Sequence, residues 1–289
     1  MNEYTIVIDS TTDLPPEFAE ELGLVVIPYL FHMDGKEYLN YLDHREFPIK
    51  DFYNALRAGR TASTSLVTEQ RYTETFEPYL KEGKDLIYMC LSTALSSSHS
   101  QAVLAAEALS KRYPERKLEI IDSLCASMGQ GLLAYYASKA REAGKTVTEA
   151  ADYIRKLIPN LCHWVIADDL NHLRRGGRVS GASAFVGTML NIKPIIHVDD
   201  IGRLIPVAKV RGLTNAREYI TDRFKETSLD PDQIVFISHS DSYDEAVKVQ
   251  ELIQTKLGLS RFVVSYIGPV IGAHTGPGTL ALFFTGSKR

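Results

Sequence analysis

The chain has 289 residues, of which 45% are hydrophobic, so its length allows roughly two domains with substantial cores. Thirty-two basic and thirty-six acidic residues give a formal net charge of -4. No basic stripe stands out except Arg174, Arg175 and Arg178, and this distribution argues against a nucleic-acid-binding protein.

The N-terminus runs from Met1 directly into a strand-like segment, without a basic region, a long apolar core or a membrane-spanning stretch. Cys90, Cys125 and Cys162 are odd in number, widely spaced and located in or beside apolar runs, a pattern that predicts buried free thiols. We therefore expect a cytoplasmic protein with no integral membrane segment.

Residues 1–160 alternate apolar runs of strand length with amphipathic stretches, a pattern typical of a parallel sheet covered by helices on both faces. Apolar residues recur at helical spacing between Ala102 and Leu109 and again between Leu133 and Ala140. The first half is therefore predicted to be a three-layer α/β domain. Its strands are predicted at Tyr4–Ile8, Leu24–Phe31, Leu86–Leu91 and Leu118–Ile121.

Residues 161–289 show a different pattern, and Ile158-Pro159-Asn160 is the predicted boundary. Two strands are predicted at Lys193–Val198 and Leu204–Val210, and Asp199–Arg203 between them resembles a hairpin turn, so they should pair antiparallel. The second half is predicted to be an α+β domain with a mixed or antiparallel sheet. Helices are predicted at 216–224 and 246–257, and further strands at 234–238, 262–267 and 279–285.

Hydroxyl and carboxyl side chains follow three of the predicted strands of the first half. Ligands of parallel sheets bind outside the carboxyl ends of the strands, so one edge of the sheet should present a cluster of hydroxyls. Helix capping is the alternative for Thr12, Asp13 and Ser98. The side chains after these strands are Asp9, Ser10, Thr11, Thr12 and Asp13, then Ser92, Thr93, Ser96, Ser97 and Ser98, then Asp122 and Ser123.

Two glycine-rich segments are further candidates for a close approach to a ligand. Gly129 and Gly131 stand at the start of a predicted helix, where tight helix–sheet packing is the alternative explanation. Residues 272–278 are predicted to form a glycine-rich loop between two strands, and His274 is its only titratable group. An imidazole on such a loop favours a functional over a purely structural role.

Several short motifs follow one another in an order that identifies a known family. They are Asp9-Ser10-Thr11-Thr12-Asp13-Leu14-Pro15, Thr64-Ser65, Leu95-Ser96, Asp122-Ser123 with Ser127, Gly129 and Gly131, Asp169-Leu170 with Arg175-Gly176-Gly177-Arg178-Val179-Ser180, Lys193-Pro194, and His274-Thr275-Gly276-Pro277-Gly278. The ordered set spans the whole chain and resembles the DegV family of bacterial fatty-acid-binding proteins.

The resemblance implies two α/β domains around a long-chain fatty acid in a buried tunnel, and a carrier without catalysis of its own. The carrier would present the acyl carboxylate to a separate fatty-acid kinase subunit. By the same resemblance, the residues around the carboxylate would be Thr64, Ser96, Arg211 and His274. Three positions depart from the family pattern, because Val67, Ser97 and Gly212 stand where proline, glycine and threonine are usual.

Further roles are expected for the polar residues near these positions. Ser65, Ser97, Asp9, Ser10, Asp122 and Ser123 are predicted to form a supporting polar shell. The group of Arg174, Arg175 and Arg178 is predicted to dock the kinase, since charged patches steer partners, and pairing with Asp168 and Asp169 is the alternative.

Elementary energetics agree with a bound acyl chain. Burial of about fourteen methylenes at roughly 0.8 kcal/mol each gives a gross gain on the order of 11 kcal/mol. The carboxylate must then be paired, because an unpaired buried charge is costly. Hydroxyls of Thr64 and Ser96, with a protonated His274 or Arg211, are predicted to pair it. The apolar residues available for a tunnel include Phe185, Val186, Met189, Leu190 and Ile192.

Two other functions compete with the carrier. Ser96 and His274 could serve an acyl hydrolase acting on a lipid-like ester, although the Gly-x-Ser-x-Gly sequence is absent around Ser96. A nucleotide enzyme is disfavoured, because neither a phosphate-binding Gly-x-x-x-x-Gly-Lys-Ser/Thr loop nor a dinucleotide-binding glycine pattern is found in the sequence. His239 with Asp241 and Asp244 lacks clear metal-ligand spacing, so no metal and no cofactor beyond the fatty-acid ligand are predicted.

Overall fold

The computed structural model describes residues 4–168, 170–180, 191–230 and 232–289. The strands are β1 (Tyr4–Asp9), β2 (Leu24–Ile27), β3 (Tyr29–Met33), β4 (Lys36–Asn40), β5 (Ala62–Ser65), β6 (Asp85–Cys90), β7 (Leu118–Asp122), β8 (Leu161–Ile166), β9 (Ile192–Val198), β10 (Leu204–Arg211), β11 (Val235–His239), β12 (Phe262–Tyr266) and β13 (Leu280–Thr285). The α-helices are α1 (Pro16–Glu21), α2 (Ile49–Arg57), α3 (Glu69–Lys81), α4 (Ser98–Arg112), α5 (Met128–Glu142), α6 (Val147–Leu157), α7 (Leu170–Gly176), α8 (Leu213–Thr227), α9 (Tyr243–Leu257) and α10 (Pro269–Thr275).

The first half contains the predicted parallel sheet, with the strand order β2-β1-β6-β7. Strands β1 and β6 are buried along their whole length, because α3 and α4 cover one face of the sheet and α5 and α6 cover the other. The second half contains a six-stranded mixed sheet in the order β10-β9-β8-β13-β11-β12. Its first two strands form the predicted antiparallel hairpin. The two-part α/β architecture is confirmed.

The single strand predicted over Leu24–Phe31 is wrong. The chain divides at Pro28 into β2, which joins the parallel sheet, and β3, which joins a separate antiparallel sheet in the order β4-β3-β5. A proline has no N–H to donate to a β-ladder, so it breaks the strand at this point. The third sheet positions β5, which carries Thr64.

Helix α5 packs against both main sheets. On one side it contacts β1 and β6, and on the other it contacts β8, β11 and β13. A β-carbon at Gly129 would come within 2.1 Å of the His163 ring, and one at Gly131 within 2.6 Å of Leu14. Close packing therefore accounts for both glycines. The predicted boundary near residue 160 falls between α6 and β8, and α5 gives the two halves a common core.

A buried carboxyl group also links the two halves. Asp13 Oδ1 accepts the N–H of Gly268 at 2.9 Å, and its Oδ2 accepts the hydroxyl of Ser127 at 2.6 Å. Ser127 is also 3.0 Å from the Ser238 hydroxyl of β11. Burial raises the pKa of Asp13 to about 8, and the nearby Asp9 carboxyl adds to the effect.

This raised pKa predicts that the free energy of unfolding falls as pH rises. The folded state holds the Asp13 proton up to about pH 8, whereas the unfolded chain loses it near pH 4, so the contribution is full below pH 4 and is lost towards pH 8. Asp13→Asn keeps the polar contacts and should remove up to roughly 2–3 kcal/mol of pH dependence between pH 6 and pH 8. Urea unfolding of both proteins across this range tests it. If the free energy of unfolding of the two proteins changed in parallel with pH, the raised pKa of Asp13 would be contradicted.

Candidate functional site

Two of the predicted site residues are joined by a hydrogen bond across the structure. Thr64 Oγ1 lies 3.0 Å from His274 Nε2, although the residues are 210 positions apart in the chain. Thr64 lies near the end of β5. His274 lies in the last turn of α10, so the prediction of a loop over 272–278 is wrong as far as Thr275. Pro269 stands at the start of this helix, where its fixed φ is favourable.

The serines after β6 complete one side of this site. Ser96 Oγ donates to Ser98 Oγ at 3.1 Å and accepts the Ser98 N–H at 3.2 Å. Ser98 Oγ in turn accepts the N–H of Val67 at 3.2 Å. These bonds hold the segment after β5 against the segment after β6. Ser98 is the first residue of α4 rather than its cap, and the capping residue Ser97 makes no side-chain capping bond.

A cavity of about 240 Å³ opens beside Thr64, Ser96 and His274. Tyr29 and His274 line this cavity, and the Tyr29 hydroxyl and His274 Nδ1 are buried with no hydrogen-bond partner among the described residues. Buried polar atoms are normally paired, so both atoms lack a partner that they would usually have. The other lining residues are Ser65, Leu66, Leu91, Leu95, Ser97, Ala126, Leu173, Arg178, Leu204, Val270, Ile271 and Thr275.

A smaller apolar cavity of about 50 Å³ lies beside the first. Ala126, Leu173, Leu204, Ile271 and Thr275 line both cavities. An apolar chain could therefore continue from the polar cavity towards the interior. The remaining lining residues are Ser127, His163, Val165, Ile196, Val198, Ile267, Thr279, Ala281 and Phe283.

On the outer side, Thr64, Arg178 and His274 also line a second cavity of about 250 Å³, which we call the vestibule. Three arginines, Arg60, Arg175 and Arg178, line the vestibule. Arg60 is paired with Asp34, and Arg175 lies 3.1 Å from His172 Nδ1. The vestibule is therefore basic. Its lining residues are Leu56, Arg60, Thr61, Ala62, Ser63, Thr64, His172, Arg175, Gly176, Arg178, Ala273 and His274.

The imidazole of His274 is neutral near pH 7 in the absence of an anion. Burial lowers its pKa to about 4, and the positive charge of Arg178 contributes to this shift. The low-polarity surroundings disfavour the charged ring, so the predicted protonation of His274 requires the bound carboxylate. Arg178 supplies the positive charge at the cavity, and its Nε donates to the Leu95 carbonyl at 3.3 Å.

Arg211 lies away from this site, so its predicted role beside the carboxylate is wrong. It is the last residue of β10, is exposed, and pairs in the hairpin with Ile192. It is not among the described residues that line either cavity or the vestibule. The resemblance placed an arginine after the hairpin at the site, whereas the structure places Arg178 there.

Only part of the predicted polar shell reaches the cavity. Ser65 and Ser97 line it, whereas Asp9, Ser10, Asp122 and Ser123 do not. Those four bind main-chain and side-chain groups at the strand ends. Ser10 accepts the N–H of Tyr29, Asp122 accepts that of Thr93, and Ser123 donates to the Cys90 carbonyl, while Asp9 binds Thr11 and Tyr88. Their carboxyl and hydroxyl groups fix the loops rather than line the cavity.

Sequence reasoning missed Tyr29 and assigned Arg178 only to docking. Tyr29 stands in an apolar run of strand length, so the sequence does not distinguish it from a core residue. Among the predicted docking arginines, Arg175 and Arg178 line the vestibule, whereas Arg174 is exposed on α7 outside it. Asp169 and the predicted tunnel residues Phe185, Val186, Met189 and Leu190 lie outside the described residues.

Within the described ranges, no three His, Cys, Asp or Glu side chains are close enough together to hold a metal ion. No helix in these same parts of the chain is both long and apolar enough to cross a membrane.

Ser65 Oγ lies 2.8 Å from His32 Nε2, and His32 Nδ1 lies 3.9 Å from the exposed Glu37 carboxylate.

Comparison with known proteins gives matches over the full length. The family model described as "Uncharacterised protein, DegV family" matches residues 3–286. A DegV domain-containing protein of Clostridium perfringens is 37% identical over 290 residues, covering 100% of this chain and 99% of that protein. One from Streptococcus pyogenes is 34% identical, with 99% of each chain covered.

Solved structures with the same fold include two described as fatty-acid-binding. A DegV family protein from Thermus thermophilus, described by its fatty-acid binding, matches with a TM-score of 0.89 and 28% identity, covering 98% of this chain and 99% of that one. DegV from Bacillus subtilis, described as a fatty acid binding protein, matches with a TM-score of 0.84 and 26% identity, covering 99% and 100%. The family model and the full-length relatives together show that this chain belongs to the DegV family.

Proposed function

We propose that the chain binds a long-chain fatty acid, with its carboxylate between Thr64, Ser96 and His274 and its tail directed into the apolar cavity. The observation that supports this proposal is the position of an apolar cavity beside a polar one, with which it shares five lining residues, and the unpaired polar atoms of Tyr29 and His274 there. The fatty-acid binding described for the relatives from Thermus thermophilus and Bacillus subtilis supports the same ligand class.

The polar cavity suits the carboxylate of a fatty acid, because its side chains can pair the negative charge once the ligand is bound. Ser96 and Thr64 supply hydroxyl donors, and Arg178 supplies a cation at the same cavity. A carboxylate beside His274 would favour the charged ring and offset the burial that lowers its pKa. Hydroxyl donors also leave a carboxylate oxygen accessible, which a closed bidentate arginine pair would not.

The direct test is mass spectrometry of lipid extracted from protein purified from a bacterial host. We expect one acyl chain per protein, released only on denaturation because its tail is buried. Fatty acid should also bind to delipidated protein at one site. Delipidated, folded protein that takes up no fatty acid at micromolar concentrations would refute the proposal.

A carrier is favoured over the acyl hydrolase with Ser96 as nucleophile. The hydrogen bond of His274 goes to Thr64, while that of Ser96 goes to Ser98, so the two do not form a nucleophile–base pair. Hydrolysis of a chromogenic acyl ester tests for the hydrolase activity. Turnover that disappears in Ser96→Ala would favour the hydrolase.

We further propose that the vestibule faces a fatty-acid kinase, which phosphorylates the carboxylate presented through it. The arginines around the vestibule suit a partner that brings nucleotide phosphates, because electrostatic complementarity accelerates association. Within this proposal the protein contributes binding and orientation, and the kinase contributes the chemistry.

Arg175→Glu is expected to slow acyl-phosphate formation by a fatty-acid kinase of the same organism about three- to tenfold at low ionic strength. The difference should shrink as salt is raised, since salt screens exposed charges. Arg174→Glu is the matched control, because Arg174 is the neighbouring exposed arginine outside the vestibule. Bound fatty acid should be unchanged in both variants. Equal slowing by both would contradict a role specific to the vestibule.

A further inference from the structure

The ring of His274 is fixed where helices α7 and α10 pack against each other. A β-carbon at Gly176, the last residue of α7, would come within 2.3 Å of His274 Nδ1. A β-carbon at Gly276, directly after α10, would come within 2.4 Å of the His172 ring on α7. Each segment therefore places a glycine against the histidine of the other. A larger residue at either position would displace a histidine, so close packing holds the His274 imidazole in place.

The contact with Gly176 lies in the plane of the imidazole, in the direction in which Nδ1 carries either a proton or a lone pair. The β-carbon position at Gly176 is 3.2 Å from Cγ and 3.3 Å from Cε1 of His274, the two ring atoms bonded to Nδ1. A point above the ring, at the same distance from Nδ1, would be much closer to both carbons. Nδ1 is thus directed at the Gly176 backbone, and a ligand could reach it only if α7 moved away from α10.

This geometry indicates which nitrogen of the neutral ring holds the proton. A proton on Nδ1 would press on the glycine hydrogen that occupies the β-carbon position, and it would have no acceptor among the described residues. A lone pair on Nδ1 avoids this crowding, and a buried N–H without an acceptor is costly. A proton on Nε2 has an acceptor, because Thr64 Oγ1 lies 3.0 Å away. The form protonated on Nε2 is therefore favoured.

The position of the proton sets the direction of the bond between His274 and Thr64. When Nε2 donates to Thr64 Oγ1, the hydroxyl keeps its own proton, which has no acceptor among the described side chains. Thr64 lines the polar cavity, so this proton can be donated to a ligand there. The direction stays the same if the ring becomes charged on binding, because an imidazolium also carries a proton on Nε2.

We propose that His274 is a positioning residue, which directs the Thr64 hydroxyl proton towards the ligand carboxylate while Gly176 keeps the imidazole proton on Nε2. The inference rests on the proposed function, because it requires a fatty-acid headgroup at Thr64. It assigns His274 an action through Thr64 rather than a bond of its own to the carboxylate. It also gives Gly176 a role at the headgroup site, although glycine has no side chain to contact a ligand.

Nitrogen-15 NMR of delipidated protein with labelled histidine tests the position of the proton. The protonated and unprotonated nitrogens of a neutral imidazole have different chemical shifts, so the two forms can be distinguished. The His274 signals are identified by their absence in His274→Gln. We expect a protonated Nε2 and an unprotonated Nδ1 at neutral pH, and Nε2 should remain protonated when palmitate is bound. A neutral ring with its proton on Nδ1 would overturn the inference.

Palmitate affinities of three His274 variants test the need for a donor at the Nε2 position. His274→Phe removes the donor to Thr64 and should weaken binding about three- to tenfold. His274→Gln can place an amide N–H near the Nε2 position and should bind within about twofold of the unchanged protein. The shorter His274→Asn cannot reach Thr64 and should bind as His274→Phe does. Equal binding by the Gln and Asn variants would contradict the inference.

A double-mutant cycle tests whether His274 acts through Thr64. In a Thr64→Val background, His274→Phe should cause no further loss of palmitate affinity, because the residue through which it acts has been removed. The same loss in both backgrounds would show that the imidazole binds the carboxylate directly, and the inference would fail. Folded, delipidated protein that binds no palmitate would instead refute the proposed function. The NMR result without ligand would then still decide the direction of the bond to Thr64.

Discussion

Replacement of Thr64 by valine together with Ser96 by alanine is expected to lower fatty-acid affinity by about 100- to 10,000-fold. Each substitution removes a hydroxyl from the proposed headgroup site with little change in volume. A hydrogen bond to a charged group contributes roughly 1.5–3 kcal/mol, and the loss of two such bonds corresponds to the expected decrease in affinity. The effect on folding should be smaller, because Thr64 and Ser96 are only half-buried.

Titration of delipidated protein with a fluorescent fatty acid measures this loss. Ser63→Ala is the matched control, since Ser63 lies next to Thr64 on β5 but is exposed and does not line the polar cavity. The control should bind as the unchanged protein does. Affinity within threefold of the unchanged protein in the double variant would place the carboxylate elsewhere.

Leu204→Trp is expected to convert the protein from a binder of long chains to a binder of short ones. Leu204 lines both the polar and the apolar cavity, so a larger ring at this position would block a tail that runs from one to the other, as proposed. Each methylene denied burial costs about 0.8 kcal/mol, so exclusion of four lowers the affinity for long acids roughly 100-fold. Acids too short to reach the apolar cavity should bind unchanged.

Competition between acids of increasing chain length measures the effect of Leu204→Trp. Val207→Trp is the control, because Val207 lies on the same strand with its side chain 40% exposed. We expect a plateau in affinity beyond a certain length only in Leu204→Trp. Equal preference for long acids in both variants would show that the tail takes another route.

The sequence predicted the parallel sheet and the hairpin well because their patterns are local. Strands β1 and β6 are continuous apolar runs, and the turn between β9 and β10 has a clear composition. The antiparallel sheet β4-β3-β5 was missed, because Ala62–Ser65 is short and contains small and polar residues that resemble a loop. Its pairing with β3 depends on contacts distant in sequence, which periodicity does not reveal.

The site was predicted in part through family resemblance and in part from hydroxyls at strand ends. Thr64, Ser96 and His274 do meet, whereas Arg211 does not reach them. The loop predicted around His274 is a helix because Gly272, a signal for a loop, instead allows close packing on α2. A β-carbon there would come within 2.6 Å of the Tyr53 hydroxyl. Glycine required by packing cannot be distinguished from glycine required by a turn in one sequence.

The placement of α5 between the two main sheets limits how the molecule can be divided. Its side chains belong to one core that also includes Ile6 of β1 and Phe236 and Phe283 of the mixed sheet. A fragment cut after residue 160 would leave an apolar helix face exposed to solvent, and the complementary fragment would lose the layer that covers its sheet. Wide separation of the halves would incur the same exposure, so the proposed entry of an acyl chain would depend on smaller rearrangements near the surface.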